Sequence, residues 1–329
     1  MRIPFEKLKA EFKRVLITLN FPDNKADLCA QIFAENSRDG VYTHGLNRFP
    51  TFVKYIKQGV IKPDSAPALV NAFGALEQWD GNLGAGIVNA LFCMNRAIEL
   101  AETNGIGCVA IRNTNHWMRG GTYGWQAAEA GFIGINFTNT TANVAPWGGV
   151  TPTLGNNPLV ISVPRKQGHV VLDMAVSQFS IGKLHQYQSY GEQLPVPGGY
   201  DDEGNLSTDP AAILNSKRVL PVGFWKGSGL ALVLDLLASV LSQGQSTKQI
   251  TDQAIESRVS QVFIAIKPQN GRQTEGLIEE ILNFTKSSKQ VNPDKSVAYP
   301  GESTIKARQK NTAEGVLVDE KIWAEVKAL

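Results

Sequence analysis

The fold of this protein is decided by residues 75 to 105, ALEQWDGNLGAGIVNALFCMNRAIELAETNG. This stretch predicts a short strand, a glycine-bearing turn and a long helix that ends near Gly105. The apolar segment IGCVAIRN, residues 106 to 113, predicts a second strand immediately after the helix. A strand, a helix and a strand in this order indicate an α/β architecture.

The alternation continues toward the C-terminus. Residues 222 to 244, VGFWKGSGLALVLDLLASVLSQG, predict a buried helix with a glycine-rich start. Residues 191 to 210 are rich in glycine, proline and aspartate and predict a long loop. Further elements are predicted as a helix at 122–131 and strands at 132–140, 154–165, 169–177 and 259–266.

The whole chain, residues 1–329, is expected to form a single family unit with three parts. Residues 1–60 show helical apolar spacing and form the N-terminal helical part that carries His44 and Arg48. Residues 61–299 form the α/β part, which is expected to bind cofactor and substrate. Residues 300–329 form a C-terminal helical segment.

Composition excludes several classes of partner. The chain has 329 residues and a net charge of +2, with no basic block, so nucleic acid and anionic membranes are not expected partners. The apolar run at residues 229–241 is short for a bilayer span and carries Asp235, which favours a soluble protein. Residues 1–16 contain no apolar block of a secretory signal, and the odd number of cysteines indicates free thiols. A cytoplasmic location is therefore expected.

The stretch YTHGLNRFP, residues 42 to 50, contains the first candidate site. The His44 imidazole can pass a proton to a carbonyl oxygen, and the Arg48 guanidinium can hold a carboxylate with two parallel hydrogen bonds. Together they suit a 2-keto acid, whose carbonyl and carboxylate are adjacent. The alternative is a histidine at a helix end and an arginine in a structural salt bridge.

The stretch NHWMRGGTYGW, residues 115 to 125, contains a second histidine and arginine, His116 and Arg119. It follows a predicted strand, and ligands of α/β proteins gather at the carboxyl ends of strands. The alternative is a well hydrogen-bonded turn. The sequence has no HxH, HExxH or CxxC spacing and no GxSxG elbow, so neither a metal site nor a serine hydrolase is predicted.

Two glycine-bearing stretches raise the question of a nucleotide. Gly81, Gly84 and Gly86 have GxxGxG spacing, which differs from the GxGxxG of a Rossmann fold and favours a tight turn before a helix. The stretch GFWKGSGL, residues 223 to 230, precedes a predicted helix. Its Lys226 and backbone N–H groups suit a phosphate, and Trp225 suits an aromatic ring.

These motifs, together with PWGG, LGNNPL, VLDMAVSQFS, GGYDDEGNLSTDP and PGE, occur in this order in one known family. Over its whole length the chain resembles the type-2 malate/L-lactate dehydrogenase family. The resemblance implies a non-Rossmann mixed sheet with helices and the reduction of 2-keto acids. It also implies a cytoplasmic homodimer that uses NADH. NADPH is the less expected cofactor, because Arg165 and Lys166 fall in a predicted surface turn.

The resemblance further implies roles for individual residues. His44 is expected to give the proton to the keto oxygen, or His116 in its place, and Arg48 is expected to bind the substrate carboxylate. His116 and Arg119 are expected at the substrate, and Asp201 is expected to support the catalytic histidine. The residues expected to bind the cofactor are His169, Val170, Val171, Leu172, Asp173, Met174, Ala175, Trp225, Lys226, Gly301, Glu302 and Ser303.

Several alternatives remain open from the sequence. Within the family, malate, lactate and ureidoglycolate are rival substrates to a sugar-derived keto acid. A sugar-acid binding protein without turnover and a metal-dependent lyase or epimerase would use the same anion site. Trp117, Tyr123 and Trp147 are expected in loops, where they would line either a subunit interface or the substrate pocket.

Overall fold

The computed structural model describes residues 1–269, 271–292 and 296–329. The chain begins with a helical layer whose apolar faces pack together. Phe12, Phe33 and Phe49 are fully buried there, with ring centroids 4.4 to 5.8 Å apart. The elements are β1 (Arg2–Ile3), α1 (Phe5–Thr18), α2 (Asp23–Arg38), two 3-10 turns (Tyr42–His44 and Leu46–Arg48) and α3 (Phe49–Lys57).

The α/β part begins as predicted with a strand, a glycine turn and a long helix. A side chain at Gly86 would overlap the carbonyl oxygens of Asn115 and His116, so glycine is needed where this helix starts. The strand at residues 68–73 was not predicted, since those residues are exposed and lack an apolar face. The elements are β2 (Ala68–Phe73), β3 (Leu76–Asp80), α4 (Gly86–Asn104), β4 (Ile106–Thr114), α5 (Gly121–Glu129) and β5 (Ile133–Thr138).

The middle of the chain contains shorter elements. The predicted long loop at residues 191–210 is correct in outline but contains a two-stranded hairpin. Two helices on either side of it were not predicted and pack around Leu184 and Ile213. The elements are β6 (Ala142–Val144), β7 (Leu154–Gly155), β8 (Leu159–Val163), β9 (Val170–Met174), α6 (Ile181–Tyr190), β10 (Gly199–Tyr200), β11 (Leu206–Ser207) and α7 (Pro210–Ser216).

The last third returns to both layers. Its final strand pairs antiparallel with β1, and its final helix packs on α1, so the two ends of the chain share one helical layer. The elements are α8 (Trp225–Ser242), α9 (Thr247–Thr251), β12 (Val259–Ile266), α10 (Arg272–Lys286), α11 (Glu302–Glu314), β13 (Val316–Leu317) and α12 (Glu320–Ala328).

A seven-stranded mixed sheet forms the centre, in the order β2-β3-β4-β12-β5-β8-β9. Only β3 and β4 are parallel, and the late strand β12 is antiparallel to both β4 and β5. The fold is therefore not of the Rossmann type, whose sheet is mostly parallel. Val109 and Phe263 pack with α4 and α5 on one face, while Ala110 and Val262 pack with α8 on the other.

The prediction that residues 222–244 form a buried helix was wrong for one face of α8. Ala231, Leu234 and Ala238 are buried against the sheet. The outward face consists of apolar side chains that are 42% to 69% exposed, namely Leu232, Val233, Leu236, Leu237 and Val240. Among the described residues, α8 is the one helix long and apolar enough to cross a membrane, and 28% of it is buried in the protein.

The expected placement of three aromatic residues in loops was only partly correct. Tyr123 lies within α5, and Tyr123 and Trp117 are buried together in the core beside Phe263. A core position leaves neither of them free for a subunit interface. Trp147 lies in a loop, is half exposed and packs against Phe224.

Candidate active site

A polar cavity of about 520 Å³ lies where β4 and β5 end and β12 begins. Because β12 runs antiparallel to β4 and β5, its first residues lie at the carboxyl ends of those two strands. His116 follows β4, Thr138 ends β5 and Gln261 lies near the start of β12. All three line the cavity, so the sheet itself brings together residues that are far apart in sequence.

The N-terminal layer adds His44 and Arg48 to the same cavity. They lie on two consecutive 3-10 turns rather than on one α-helical face, because Gly45 separates the turns. A side chain at Gly45 would overlap Ser37 Oγ, which accepts a hydrogen bond from the Leu46 N–H at 2.9 Å. Glycine at this position therefore allows the histidine and the arginine to face one cavity.

His44 and His116 are stacked, with ring centroids 5.7 Å apart and an interplanar angle of 22°. The Met118 N–H donates to His116 Nδ1 at 2.9 Å. In the neutral ring the proton of His116 is therefore on Nε2, which makes that atom a hydrogen-bond donor. His44 Nδ1 lies 3.0 Å from Thr43 Oγ1.

Both imidazoles are neutral near pH 7. Burial, and then the charges of His116, Arg48 and Arg119, lower the pKa of His44 from 6.5 to about 3. Burial and the Arg48 charge lower the pKa of His116 to about 3 as well. A neutral imidazole accepts a proton readily, whereas it must first be protonated to act as a strong acid.

Arg48 is the cation available to a ligand. It lines the cavity and is half-buried, and its guanidinium has no hydrogen bond or ion pair within the part of the chain that the structure describes. An unpaired charge in such a place favours binding of an anion. The arrangement of one free guanidinium beside two neutral imidazoles suits a carboxylate with an adjacent carbonyl or hydroxyl group.

Arg119 also lines the cavity, but its charge is engaged. Its side chain is 5% exposed and donates to Asp39 Oδ2 at 2.8 Å and to Thr304 Oγ1 at 3.4 Å. Asp39 also accepts from Arg308, at 2.7 Å, and from Arg38, at 3.2 Å. Burial alone would raise the pKa of the Asp39 carboxyl, but Arg308 and Arg119 lower it below its usual value, so it is ionised.

Sequence analysis missed Asp39 and Arg308. Asp39 immediately follows α2 and looks like an ordinary helix end, and Arg308 lies in a polar C-terminal helix. Their pairing joins the two ends of the chain, which no local pattern indicates.

Comparisons with known proteins identify the family. The model of the malate/L-lactate dehydrogenase family matches residues 3–327. The chain is 44% identical over 333 residues to the 2,3-diketo-L-gulonate reductase of Escherichia coli O127:H6 (strain E2348/69 / EPEC), with 100% of both chains covered. The crystal structure of malate dehydrogenase from Entamoeba histolytica is 25% identical with a TM-score of 0.94, covering 100% of this chain and 96% of that one. Sulfolactate dehydrogenase from Methanocaldococcus jannaschii is 29% identical with a TM-score of 0.89, covering 100% and 96%.

The chain belongs to the malate/L-lactate dehydrogenase family. It is therefore an oxidoreductase that acts on a 2-hydroxy or 2-keto acid with a nicotinamide cofactor. The prediction of family and activity from sequence motifs is confirmed.

A second cavity, of about 570 Å³, lies at the other end of β9. Asp173 and Ala175 line the cavity with the histidines, whereas His169 lines the second cavity. Strand β9 thus connects the two cavities, over roughly 20 Å at the rise of a β-strand. An extended two-part ligand can follow this strand.

Two of the three segments expected to bind the cofactor lie together. The Val171 N–H donates to the Pro300 carbonyl at 3.0 Å. Gly301, with φ at +98°, lies so close that an added Cβ would be 3.1 Å from His169 O and Val171 N. Residues 301–303 and β9 therefore form one surface beside the second cavity.

The third segment lies elsewhere. Trp225 and Lys226 form the start of α8, so the adjacent glycines lie inside this helix rather than before it. Trp225 is 65% exposed, and neither residue lines either cavity. Their cofactor role stays a prediction.

Asp201 also lies outside the cavity. It occupies the turn of the β10–β11 hairpin, where its carboxylate accepts from the Asn205 N–H at 2.7 Å. It is absent from the residues that line the histidine cavity, within the described ranges. The structure does not bring Asp201 to His44, and its supporting role stays a prediction.

The far wall of the cavity consists of residues that sequence analysis did not select. They come from the ends of β5 and β12 and from the loops beside them, where single polar residues look like ordinary turn formers. They are Asn139, Thr140, Asn143, Asn156, Glu256 and Gln261. Among the residues that the structure describes, no group of three or more His, Cys, Asp or Glu side chains is placed to hold a metal ion.

Proposed function

We propose that this protein reduces 2,3-diketo-L-gulonate at its C2 ketone with NADH and forms 3-dehydro-L-gulonate. Similarity to proteins of that name over the whole chain supports the substrate. The observation that carries the chemistry is the unpaired Arg48 beside two stacked, neutral histidines in one cavity.

In this proposal Arg48 binds the substrate carboxylate through two parallel hydrogen bonds. The bound carboxylate then holds the adjacent C2 ketone at the nitrogen edges of the two histidine rings. His44 gives the proton to the keto oxygen, and His116 Nε2–H donates a hydrogen bond that orients it. Bound NADH supplies the hydride. The proton transfer contributes about a hundred- to ten-thousand-fold to the rate.

The proton on His44 depends on the substrate. Burial lowers the pKa of His44 most, and the charge of Arg48 lowers it further. A substrate carboxylate on Arg48 neutralises that charge and raises the pKa of His44 in the complex. Binding of the substrate thereby favours the protonated form of His44, which is the acid of the reaction.

Both signs of charge line the second cavity, Arg165, Lys166 and Arg272 as cations and Glu275 as a carboxylate, and the support for NADH over NADPH comes from Glu275 and from the pairing of Arg165. The sequence position of Arg165 suggested a surface residue, but its side chain is mostly buried. Its side chain is 8% exposed and pairs with Glu279 at 2.7 Å. Glu275 lines the same cavity, where its carboxylate would repel the 2′-phosphate of NADPH.

We place the enzyme in the cytoplasm as a homodimer. The outward apolar face of α8 supports the homodimer. An apolar surface of this kind is typical of a subunit interface. Two copies of the face can cover each other around a two-fold axis.

The decisive experiment measures NADH consumption by the purified protein with 2,3-diketo-L-gulonate, oxaloacetate, pyruvate and oxalurate, with NADPH in parallel. Preference for diketogulonate supports the proposal. Preference for another acid would make the protein a malate, lactate or ureidoglycolate dehydrogenase. Binding of sugar acids without any NADH oxidation would instead identify a binding protein, and activity abolished by a chelator would identify a metal-dependent lyase.

Substitution of the proposed acid tests the mechanism directly. His44→Ala is expected to lose at least a hundredfold in kcat, since the keto oxygen then has no positioned acid. NADH binding, measured by fluorescence titration, is expected to stay unchanged because the cofactor surface lies on β9. A variant with near wild-type kcat would remove His44 from the mechanism.

A further inference from the structure

The cavity has a second end, away from the histidine pair, and that end contains a carboxylate, Glu256. Hydrogen bonds trace the wall outward from the histidines. Gln261 Nε2 donates to the Asn115 carbonyl, next to His116, at 3.1 Å. The chain before Gln261 then leads to Glu256, which binds Thr141 beyond the end of β5.

Glu256 is held in place through one oxygen. Its Oε2 accepts from the Thr141 N–H at 3.2 Å and from the Thr141 hydroxyl at 2.9 Å. Oε1 has no hydrogen-bond partner among the residues that the structure describes. Asn143 and Asn156 line the same end, so it presents hydrogen-bonding groups together with one negative charge.

The charges of the cavity match a substrate with a single carboxylate. Arg119 is held in an ion pair with Asp39, which leaves Arg48 as the guanidinium of the cavity that has no ion pair among the described residues and can bind the head of the substrate. A second carboxylate at the far end of the substrate would approach Glu256, and like charges in a partly buried site repel. A hydroxyl group at the same place would donate to the free carboxylate oxygen in a strong, charge-assisted hydrogen bond.

We propose that Glu256 determines substrate specificity, by binding the hydroxylated tail of a sugar-derived keto acid and rejecting dicarboxylic acids. The inference rests on the proposed function, because it assumes that the substrate carboxylate binds Arg48. In this proposal Glu256 alone discriminates polyhydroxy acids from oxaloacetate and malate. The latter two are dicarboxylic acids, whose second carboxylate would need a second cation.

The test compares wild type, Glu256→Gln and Glu256→Arg in NADH-dependent reduction of 2,3-diketo-L-gulonate and oxaloacetate. Glutamine keeps the acceptor for Thr141 and removes the charge, so the fold is expected to persist. The ratio of kcat/KM for oxaloacetate to that for diketogulonate is expected to rise about ten- to thirtyfold in Glu256→Gln and further in Glu256→Arg. Glu325→Gln, on the exposed side of α12, is the matched control and is expected to leave the ratio unchanged.

An unchanged ratio in both Glu256 variants would overturn the proposal. Equal loss with both substrates in Glu256→Gln would also overturn it, because a merely structural role of the Thr141 contacts predicts that result. The melting temperature of each variant, measured by scanning calorimetry, identifies such structural loss.

A second measurement separates this inference from the proposed function. Titration calorimetry without cofactor compares binding of L-gulonate and L-malate to the wild type and to Glu256→Gln. If the wild type binds L-gulonate more tightly than L-malate and Glu256→Gln loses or reverses this preference, the role of Glu256 is supported, even if no keto acid is reduced. Equal preference in both proteins contradicts that role, even if diketogulonate is a good substrate.

Discussion

Arg48 and Arg119 are the same residue type in the same cavity wall, yet their surroundings give them different properties. Arg48 is unpaired within the described residues, whereas Arg119 is bound to a buried aspartate. Only the first can exchange water for a ligand carboxylate without breaking an existing ion pair. Of the two arginines expected at the substrate, Arg48 is therefore the one expected to bind its carboxylate.

Arg48→Lys tests the geometry of the carboxylate site. Lysine keeps the charge but loses the planar pair of donors, so KM for the keto acid is expected to rise about ten- to a hundredfold, with a smaller effect on kcat. Steady-state kinetics at constant NADH measure both values. Lys62→Arg, at an exposed position outside the cavity lining, provides a control for altered side-chain shape alone. An unchanged KM in Arg48→Lys would contradict the carboxylate role.

The low pKa of His44 gives opposite pH profiles in the two directions. Its pKa is lowered to about 3, so between pH 5 and 8 the free protein carries a neutral imidazole. Reduction needs the protonated ring, whose fraction falls about tenfold per pH unit above the pKa, so kcat/KM for the keto acid is expected to rise steadily toward pH 5. Oxidation of the 2-hydroxy acid needs the neutral ring and is expected to be flat over this range. A break near pH 6.5 in either profile would show that the histidine is not buried as described.

At the scale of elements, helix α10 decides what the second cavity accepts. Its residues are not buried, but Glu275 lines the cavity and Glu279 pairs with Arg165. The helix thus adds the carboxylate of Glu275 and the cation Arg272 to a cavity that already contains Arg165 and Lys166. The cofactor preference follows from the contact between the two segments.

Glu275→Gln is expected to raise the ratio of kcat/KM with NADPH to that with NADH about tenfold, because the repulsion of a 2′-phosphate is removed. Parallel assays with the two cofactors at fixed keto acid measure this ratio. Glu280→Gln, on the same helix but outside the cavity lining, is the control. If the two variants behave alike, the adenosine end of the cofactor binds elsewhere.

At the scale of the whole molecule, the exposed face of α8 predicts the assembly. Leu236 and Val240 are 54% and 69% exposed on a helix whose other face is packed on the sheet. Leu236→Glu places a charge in the proposed interface and is expected to convert the dimer to a monomer, which light scattering after size-exclusion chromatography measures. Val196→Glu, at an exposed loop position, is expected to remain dimeric. A wild-type protein that is monomeric at micromolar concentration would rule out this interface.

Much of the fold could be predicted from sequence because its signals are local. The glycines mark the turn from Gly81 to Gly86, and the long helix after it and the core strands show apolar periodicity. These patterns can be recognised in each segment without knowing what it packs against. Strand β2 was missed because all of its residues are exposed. Helices α6 and α7 were missed because they have only 10 and 7 residues, too few for a clear apolar periodicity. The outward face of α8 was misread because composition reports how apolar a helix is, not which side of it the protein covers.

The sequence by itself determined the alternation of strands and helices, the family, and the residue types His44, Arg48 and His116 as candidates, since each is expressed in short motifs. Only the tertiary structure decided which of these groups are free to act. The insertion of β12 between β4 and β5 creates the cavity and adds Gln261 and Glu256 to it. Ion pairs between distant segments engage Arg119 and Arg165, whereas Arg48 has none among the described residues. The physical reason is that availability for chemistry depends on burial and partners, and both are set by contacts between residues far apart in the chain.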